Sequence, residues 1–380
     1  MRIITVLVGN AYSFPPVLSL LHAFEKMHID SVFITTKSTK CLQDELKKTT
    51  VIEIETDYES INSPIKKLSM IPYLRKELWT LIDSNYNSDS IIWVVTDVTI
   101  KYLGTKLTSR KYVLHLLELS QELLYYYKIP AIKLNKEKIG NKALAVVVPE
   151  YNRAHLTKTW WNLTKMPCVL PNKPFSDQGL KRGEYIQDDV ARNLIDALGT
   201  RKIILYQGVM SDERPLDVFI DAVDEYGGEY AFVIMSGGKN IYHYKKSDNY
   251  CFIPFVAPPN HLQITSHAHI GVLSYVPTKS TGYSPLNSLY CAPNKTFEYS
   301  MFGIPMIGND IPGLRYLFDT KNIGRCFDEF SIKSVCDSID NIEREYKTLS
   351  SNSNAYFAEC DYVSILTEIL NKVRNYEGEI

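Results

Sequence analysis

Two residues of opposite charge, Lys295 and Glu298, have types and spacing suited to bind a phosphate and a hydroxyl group. Pro293 and Asn294 supply a turn just before them. The apolar side chains beyond this turn have the spacing of a helix with one buried face: Phe297, Met301 and Phe302. Both charged residues therefore fall on the first turn of a predicted helix, where unpaired backbone N–H groups favour an anion. We expect a phosphate beside Lys295 and a hydroxyl-bearing group beside Glu298.

The elements that position this pair follow directly in the sequence. Asn294 or Thr296 is expected to cap the first helix, and Gly303 is expected to end it. The apolar run over residues 304–307 predicts a short buried strand. A second turn then leads to another helix, whose start is marked by Pro312.

The stretch from Ala292 to Pro312 resembles the nucleotide-sugar-binding signature of retaining GT-B glycosyltransferases, especially family 4, which runs roughly P-N-K-x-x-E-Y-x-x-x-G-x-P-x-I. The resemblance implies that Glu298 is the second glutamate of the E-x(7)-E motif, which in the family holds the ribose or nucleotide of the donor. Where the family has the first glutamate, this chain has Tyr290. Backbone atoms of residues 288–291 are then expected to line the donor site. The alternative for Glu298 is a carboxylate that only favours the helix dipole.

Lys295 and Arg214 are the cations that the resemblance implies for the donor diphosphate. Arg214 follows a loop with Gly208, after the predicted strand 203–206, and the family commonly places a cation there. The second cation that the family often has directly after this glycine is replaced by Val209. The alternative for each cation is a solvated surface side chain. Arginine suits bidentate phosphate contacts and lysine acts as a point charge.

A histidine at a strand end is the main candidate in the first half of the chain. His115 ends the predicted strand 112–115, and in the family such a histidine touches the donor sugar. Its alternative is an ordinary packing residue. Glu118 is expected either to orient His115 or to cap a following helix. His267 and His269 lack a third ligand at metal-binding spacing, so we predict structural roles for them.

Strand-like runs rich in Val and Ile recur through the first half: 3–8, 32–35, 51–55, 91–95, 112–115 and 144–148. They lack clean alternation, as expected when helices cover both faces of a parallel sheet. Gly9 lies in the first loop, which lacks a G-x-G-x-x-G fingerprint, and is assigned to the donor site. Prolines and glycines over 171–200 predict a connection, and a second strand series begins at 203.

The resemblance implies an α/β chain with the GT-B fold, in which two Rossmann-like doubly wound domains face each other across a cleft. We assign residues 1–175, with a C-terminal helix over about 356–380, to the N-terminal acceptor-side domain. Residues 176–355 are assigned to the nucleotide-sugar donor domain. The resemblance covers the second half of the chain well, whereas the first half matches only in general plan.

The overall composition excludes several classes of protein. The formal net charge of −1 offers no whole-molecule field for nucleic acid. The seven cysteines are scattered without a C-x-x-C pair, which favours free thiols in a reducing cytosol. No apolar run is long enough to span a bilayer. The segment 65–79 mixes basic and apolar residues, and we interpret it as an ordinary helix interrupted at Pro72, the alternative being a surface that docks on the inner membrane.

The sequence therefore predicts a cytoplasmic, metal-independent glycosyltransferase that acts in cell-surface polysaccharide synthesis. It is expected to retain configuration while it transfers a hexosyl unit to a glycan or lipid-linked glycan. Its donor is expected to be a UDP-sugar, with no further cofactor and no metal, since no Asp-x-Asp follows an apolar strand. His115 and Glu298 are the predicted catalytic residues. Two alternatives remain, a nucleotide-sugar epimerase of the same fold and a non-catalytic sugar-nucleotide-binding module.

Overall fold

A computed structural model describes residues 1–37, 40–54, 63–125, 132–175, 179–278 and 283–377. The chain divides into two compact units. The first unit comprises Met1–Phe175, Gly282–Asn287 and Asp361–Ile380, and the second comprises Ser176–Thr281 and Ser288–Cys360.

The first unit contains a seven-stranded parallel sheet with the order β3-β2-β1-β4-β5-β6-β7. Its strands are β1 (Arg2–Asn10), β2 (Asp30–Lys37), β3 (Thr49–Glu53), β4 (Ser90–Val95), β5 (Tyr112–His115), β6 (Ala145–Val148) and β7 (Cys168–Val169). Its helices are α1 (Pro15–Lys26), α2 (Lys40–Glu45), α3 (Pro64–Asn85), α4 (Asp97–Leu103), α5 (Lys136–Lys142) and α6 (Tyr151–Trp160). The predicted strand 51–55 is β3, and residue 55 lies outside the described residues.

Both faces of this sheet are buried, because successive side chains of each strand enter opposite cores. On β1, Ile4 belongs to the core that α3 covers, while Ile3 belongs to the core beneath α1. All residues of β4 are buried for the same reason. This explains why the strands read as continuous apolar runs without alternation.

The second unit contains a six-stranded parallel sheet with the order β10-β9-β8-β11-β12-β13. Its strands are β8 (Lys202–Gln207), β9 (Tyr230–Ser236), β10 (Tyr250–Pro254), β11 (Ala268–Leu273), β12 (Met306–Asn309) and β13 (Gly324–Phe327). The helices that follow in the chain are α7 (Asp189–Asp196), α8 (Asp217–Asp224), α9 (His261–Thr265), α10 (Leu286–Leu289), α11 (Asn294–Met301), α12 (Pro312–Lys321), α13 (Ile332–Arg344) and α14 (Tyr346–Glu359).

The last helix, α15 (Tyr362–Glu377), belongs to the first unit. Its apolar side chains join the core beneath α1: Leu366, Ile369, Leu370 and Val373. The predicted helix began at residue 356, but Tyr356 lies in α14 and its ring stacks on Phe297 of α11. The two helices are separated at Cys360 and Asp361, where Oδ1 of Asp361 accepts a hydrogen bond of 3.0 Å from the N–H of Ser364 on the first turn of α15.

Three local predictions around helices are wrong. Pro72 does not interrupt α3, which runs through it, because Leu74 and Leu78 are fully buried and anchor the next turns. Neither Asn294 nor Thr296 caps α11: Pro293 occupies the cap position and supplies no side-chain hydrogen bond. The strand expected at 304–307 begins two residues later, as β12. The predicted end at Gly303 agrees with its φ of 61°, which suits glycine.

Candidate active site

Helix α11 is fixed against the sheet of the second unit by Tyr299. The hydroxyl of this buried tyrosine donates a hydrogen bond of 2.9 Å to the carbonyl of Leu205 on β8. Its ring lies against Gly271 of β11, at a place where no Cβ would fit. The start of α11 has no side-chain cap, so its first backbone N–H groups remain available to an anion.

Lys295 lies on the first turn of α11 and is only 9 % exposed. Its Nζ lies 5.0 Å from the ring centroid of Tyr206 and 5.5 Å from that of Tyr275. Among the residues that the structure describes, this ammonium group has no hydrogen bond and no ion pair. Burial, together with the positive charge of Arg214, lowers the pKa of Lys295 to about 7. A buried amine that has no hydrogen bond or ion pair among the described residues is suited to receive an anionic ligand.

Gly208 and Arg214 lie beside Lys295. Gly208 follows β8 with a φ of 128°, and a Cβ at this position would lie 3.1 Å from Nζ of Lys295. The Nη1 of Arg214 donates to the carbonyl of Val209 at 3.2 Å. The guanidinium of Arg214 also lies 5.6 Å from the centroid of Tyr275, the ring that Lys295 approaches. The structure therefore brings together three of the predicted donor-site residues.

Glu298 is 4 % exposed and lies one turn beyond Lys295. Its carboxylate accepts hydrogen bonds from Nε2 of Gln207, at the end of β8, and from Nε2 of His261, at the start of α9, the latter at 3.3 Å. Burial alone would raise the pKa of Glu298. Hydrogen bonds from His261 and Gln207 and the charge of Lys295 outweigh burial and hold this pKa below its usual value.

Gln207 and His261 were not among the predicted site residues. Gln207 is the last residue of β8, and a polar residue at the carboxyl end of a buried strand is a recognisable signal. His261 is the first residue of α9, and nothing in the local sequence links it to Glu298. The link arises because α9 and α11 pack together in the fold.

Gly9 and His115 lie in the first unit, at the carboxyl ends of β1 and β5. The N–H of Gly9 donates to Oγ1 of Thr36, and its carbonyl accepts from Oγ1 of Thr35. Strands β1 and β5 each pair with β4 in parallel, so both residues lie at the same edge of the sheet. Tyr290, another of the predicted donor-site residues, is half-buried in the segment between α10 and α11.

His115 is 1 % exposed, and its Nδ1 accepts a hydrogen bond of 3.3 Å from the indole Nε1 of Trp93. Because an indole N–H can only donate, Nδ1 carries no proton and Nε2 carries the hydrogen. Burial lowers the pKa of His115 to about 3, so the ring is neutral at physiological pH. Within the described ranges, Nε2 has no hydrogen-bond partner. His115 therefore presents an unpaired N–H donor.

The two roles expected for Glu118 are not observed. Among the described residues between Glu118 and α5 no helix starts, and the Glu118 carboxylate accepts a hydrogen bond of 2.8 Å from Nδ2 of Asn287. A carboxylate that the sequence analysis missed is Asp97, directly after β4. Asp97 is 4 % exposed and pairs with Lys101 at 2.9 Å. The hydroxyl of Tyr283 also donates to it at 3.3 Å.

His267, just before β11, and His269, on β11, have structural contacts, in agreement with the prediction. Nε2 of His267 lies 2.8 Å from the carbonyl of Glu184. Nε2 of His269 lies 2.6 Å from Glu343, and its ring stacks on Tyr346 with centroids 4.1 Å apart. In the part of the chain that the structure describes, no group of three or more potential metal ligands was found.

The two parallel α/β sheets, of seven and six strands, define the GT-B fold, and the predicted fold class is confirmed. HepE of Anabaena in complex with UDP-glucose is similar to this chain, with a TM-score of 0.71 and 14 % identity over 99 % of this chain and 100 % of HepE. Sucrose-phosphate synthase of Thermosynechococcus elongatus has a TM-score of 0.69 and 13 % identity, and both chains are fully covered.

A putative UDP-N-acetylglucosamine 2-epimerase from Listeria monocytogenes is also similar, with a TM-score of 0.64, 11 % identity, and coverage of 100 % of this chain and 97 % of that one. Neither a protein-family model nor a curated protein sequence matches the chain. Membership of the retaining family 4 stays a prediction. Among the described helices, none combines the length and apolar character that crossing a membrane requires.

Proposed function

We propose that this protein is a glycosyltransferase that transfers a hexosyl unit from a nucleotide diphosphate sugar to a glycan or lipid-linked glycan. The observation that carries the proposal is the start of α11, where the buried Lys295, which has no ion pair among the described residues, lies one turn before the ionised carboxylate of Glu298. A pyrophosphate linked to a ribose presents an anion and a pair of vicinal hydroxyl groups. Similarity to a structure that contains UDP-glucose supports a UDP-sugar as the donor.

Lys295 and Arg214 are proposed to neutralise the diphosphate, and Glu298 to accept hydrogen bonds from the ribose hydroxyls. Gly208 leaves space for the diphosphate against the ammonium group of Lys295. The backbone from Ser288 to Cys291, including Tyr290, is proposed to line the same site. Stabilising charge on the departing diphosphate is the contribution that such a site makes to the rate.

His115 is proposed to donate its unpaired Nε2–H to a hydroxyl group of the donor sugar, with Gly9 at the same edge of the first sheet. A neutral imidazole suits this task, because the sugar hydroxyl is uncharged and accepts a hydrogen bond. The reaction is proposed to retain configuration, with the departing diphosphate guiding the acceptor to the same face. The protein then acts mainly by positioning and by charge stabilisation, without metal.

We propose action in the cytoplasm, in cell-surface polysaccharide synthesis, with peripheral contact at the inner membrane as an option for lipid-linked acceptors. On α3, Lys66 and Lys76 are exposed and available for such a surface. Arg75 is committed elsewhere, because its guanidinium donates to the carbonyls of Tyr102 and Lys101 at 2.7 and 3.0 Å.

The test measures UDP release and sugar transfer from a panel of UDP-sugars to glycan and lipid-linked acceptors. We expect Glu298→Ala and Lys295→Met to abolish both while the fold persists. His243→Phe is a matched control in the same unit, because the ring of His243 is exposed and its Nδ1 lies 2.9 Å from the carbonyl of Asn240. Full turnover by Glu298→Ala would contradict the proposal.

A nucleotide-sugar epimerase is the second candidate, favoured by the similarity to the putative epimerase from Listeria monocytogenes. An epimerase converts the donor to its isomer without an acceptor. Incubation with each UDP-sugar alone, followed by analysis of the sugar product, separates the two functions. Tight UDP binding with neither transfer nor isomerisation would instead favour a non-catalytic binding module, an option raised by Tyr290 in place of the first glutamate.

A further inference from the structure

The carboxylate of Glu298 is held between two donors from different elements. Gln207 reaches it from the end of β8, and His261 from the first turn of α9, with Nε2 of His261 at 3.3 Å. Because a carboxylate can only accept, an N–H must point at Glu298 from each partner. Gln207 contacts Oε2 and His261 contacts Oε1, so each carboxylate oxygen accepts one of these hydrogen bonds and keeps a further lone pair.

Each partner of Glu298 is itself restricted to one orientation. The carboxylate of Glu298 can only accept, so it requires the amide nitrogen of Gln207, and Oγ1 of Thr265 lies 2.6 Å from the amide oxygen Oε1 on the other side. If this amide were flipped, its oxygen would lie against the carboxylate. Nδ1 of His261 has no hydrogen-bond partner among the described residues. The contact with Glu298 is therefore the interaction that fixes the imidazole ring and its tautomer.

The charged and titratable groups around Glu298 come from three elements. His261 faces it from α9, and Lys295 lies one turn earlier on α11. Arg214 lies beside Lys295, and Tyr206 of β8 lies beneath it. Burial acts to raise the pKa of Glu298, and the hydrogen bonds from His261 and Gln207 act against burial, together with the charge of Lys295.

We propose that Gln207 and His261 are positioning residues that hold the Glu298 carboxylate in one orientation toward the hydroxyl groups of a bound ribonucleotide. The proposal rests on the nucleotide-sugar function given above. It assigns these two side chains a role that depends on Glu298 and not on the packing of the unit as a whole.

The first experiment measures UDP binding by calorimetry as a function of pH. We expect His261→Phe and Gln207→Leu to weaken UDP binding about tenfold at pH 7, the loss typical of a hydrogen bond to a charged group. His261→Gln keeps an N–H donor and should restore most of the affinity. The acid limb of binding should move to higher pH in His261→Phe, because the pKa of Glu298 rises. His243→Phe should match the wild type.

A second set of variants, made in the Glu298→Gln protein, distinguishes a positioning role from a general loss of structure. In the Glu298→Gln background, His261→Phe should change neither UDP affinity nor its pH dependence. An equal effect of His261→Phe with and without the carboxylate would overturn the proposal. So would wild-type affinity and an unshifted acid limb in both His261→Phe and Gln207→Leu.

The ligand-free protein gives a readout that does not depend on the proposed function. The lowered pKa of Glu298 contributes stability at neutral pH that is lost as pH falls through this pKa. Destabilisation by His261→Phe should therefore be larger at pH 7 than at about pH 4, and only when Glu298 is present. The same destabilisation at both pH values overturns the positioning role. If this signature appears but the wild type binds no UDP, the proposed function fails and the positioning of Glu298 stands.

Discussion

Replacing Lys295 by methionine should stabilise the ligand-free protein while it removes donor binding. Methionine keeps the length of the side chain and its apolar stem, and it can pack against the rings of Tyr206 and Tyr275. What disappears is a buried ammonium group without an ion pair among the described residues. The variant therefore separates the free energy of folding from the free energy of binding.

The magnitude follows from the pKa of Lys295. A fall from 10.5 to about 7 corresponds at pH 7 to a free-energy cost in the folded protein of at most about 4 kcal/mol. The side chain remains 9 % exposed, and solvent relieves part of this cost. We expect Lys295→Met to stabilise the second unit by about 2 kcal/mol, a rise in Tm of about 4–8 °C for a unit of this size.

The pH dependence gives the sign of the effect. The unfolded chain holds this proton up to about pH 10, whereas the folded protein releases it near pH 7, so the stability contributed by Lys295 rises between these values. The methionine variant lacks this titrating group. Its gain in the free energy of unfolding over the wild type should therefore decrease by about 2 kcal/mol or less between pH 7 and 9.

The assay is urea unfolding at pH 7 and 9, followed by thermal unfolding with and without UDP. The wild type should gain Tm on adding UDP, and Lys295→Met should not. Lys295→Arg keeps the charge and serves as the matched variant. The reasoning is refuted if Lys295→Met destabilises the ligand-free protein at pH 7, or if its advantage is unchanged at pH 9. Undiminished UDP binding by this variant would refute the assignment of Lys295 to the diphosphate.

Three further predictions concern single side chains. Gly208→Val should weaken UDP binding at least tenfold in calorimetry, because its Cβ would lie 3.1 Å from Nζ of Lys295 at a φ that suits glycine; unchanged affinity would contradict this. His115→Phe removes the Nε2–H, which has no partner among the described residues, and also the acceptor of the buried Trp93 indole N–H. We expect kcat for transfer to fall ten- to hundredfold, the free energy of unfolding to fall by about 1–3 kcal/mol, and the Kd for UDP to change little; a normal kcat would remove His115 from the site. Leu370→Ala in α15 should destabilise the first unit by about 2–5 kcal/mol in urea unfolding, because it opens a cavity in a fully packed core; a loss below about 1 kcal/mol would show that α15 contributes little.

Most of the fold could be predicted from the sequence, because the strands of a parallel sheet that is covered on both faces are continuous apolar runs. The run at residues 91–95 lies within β4, which is buried throughout. The ends of the helices and strands were harder to predict. The last helix was predicted from residue 356, whereas α15 begins at Tyr362, and Asp361 accepts a hydrogen bond from the N–H of Ser364 at its start. An aspartate before an apolar run is a helix-start signal that the prediction did not use.

The candidate site could be predicted from the sequence only in part. Lys295 and Glu298 share one helical turn, so their proximity follows from local geometry. The position of Arg214 beside Lys295 was expected from the resemblance alone. The contacts of Glu298 with Gln207 and His261 join residues 91 and 37 positions apart in the chain, and local patterns carry no information about such distances.

The sequence by itself determined the alternation of strands and helices, the helix start that carries Lys295 and Glu298, and the glycine that ends that helix. These features depend on periodicity, backbone conformation and residues close in the chain. Only the tertiary structure decided that Lys295 is buried without an ion pair in the described chain, that His115 is neutral, and that His261 and Gln207 hold Glu298. Burial and hydrogen bonding between distant elements set these properties, because they depend on which surfaces the folded chain brings into contact.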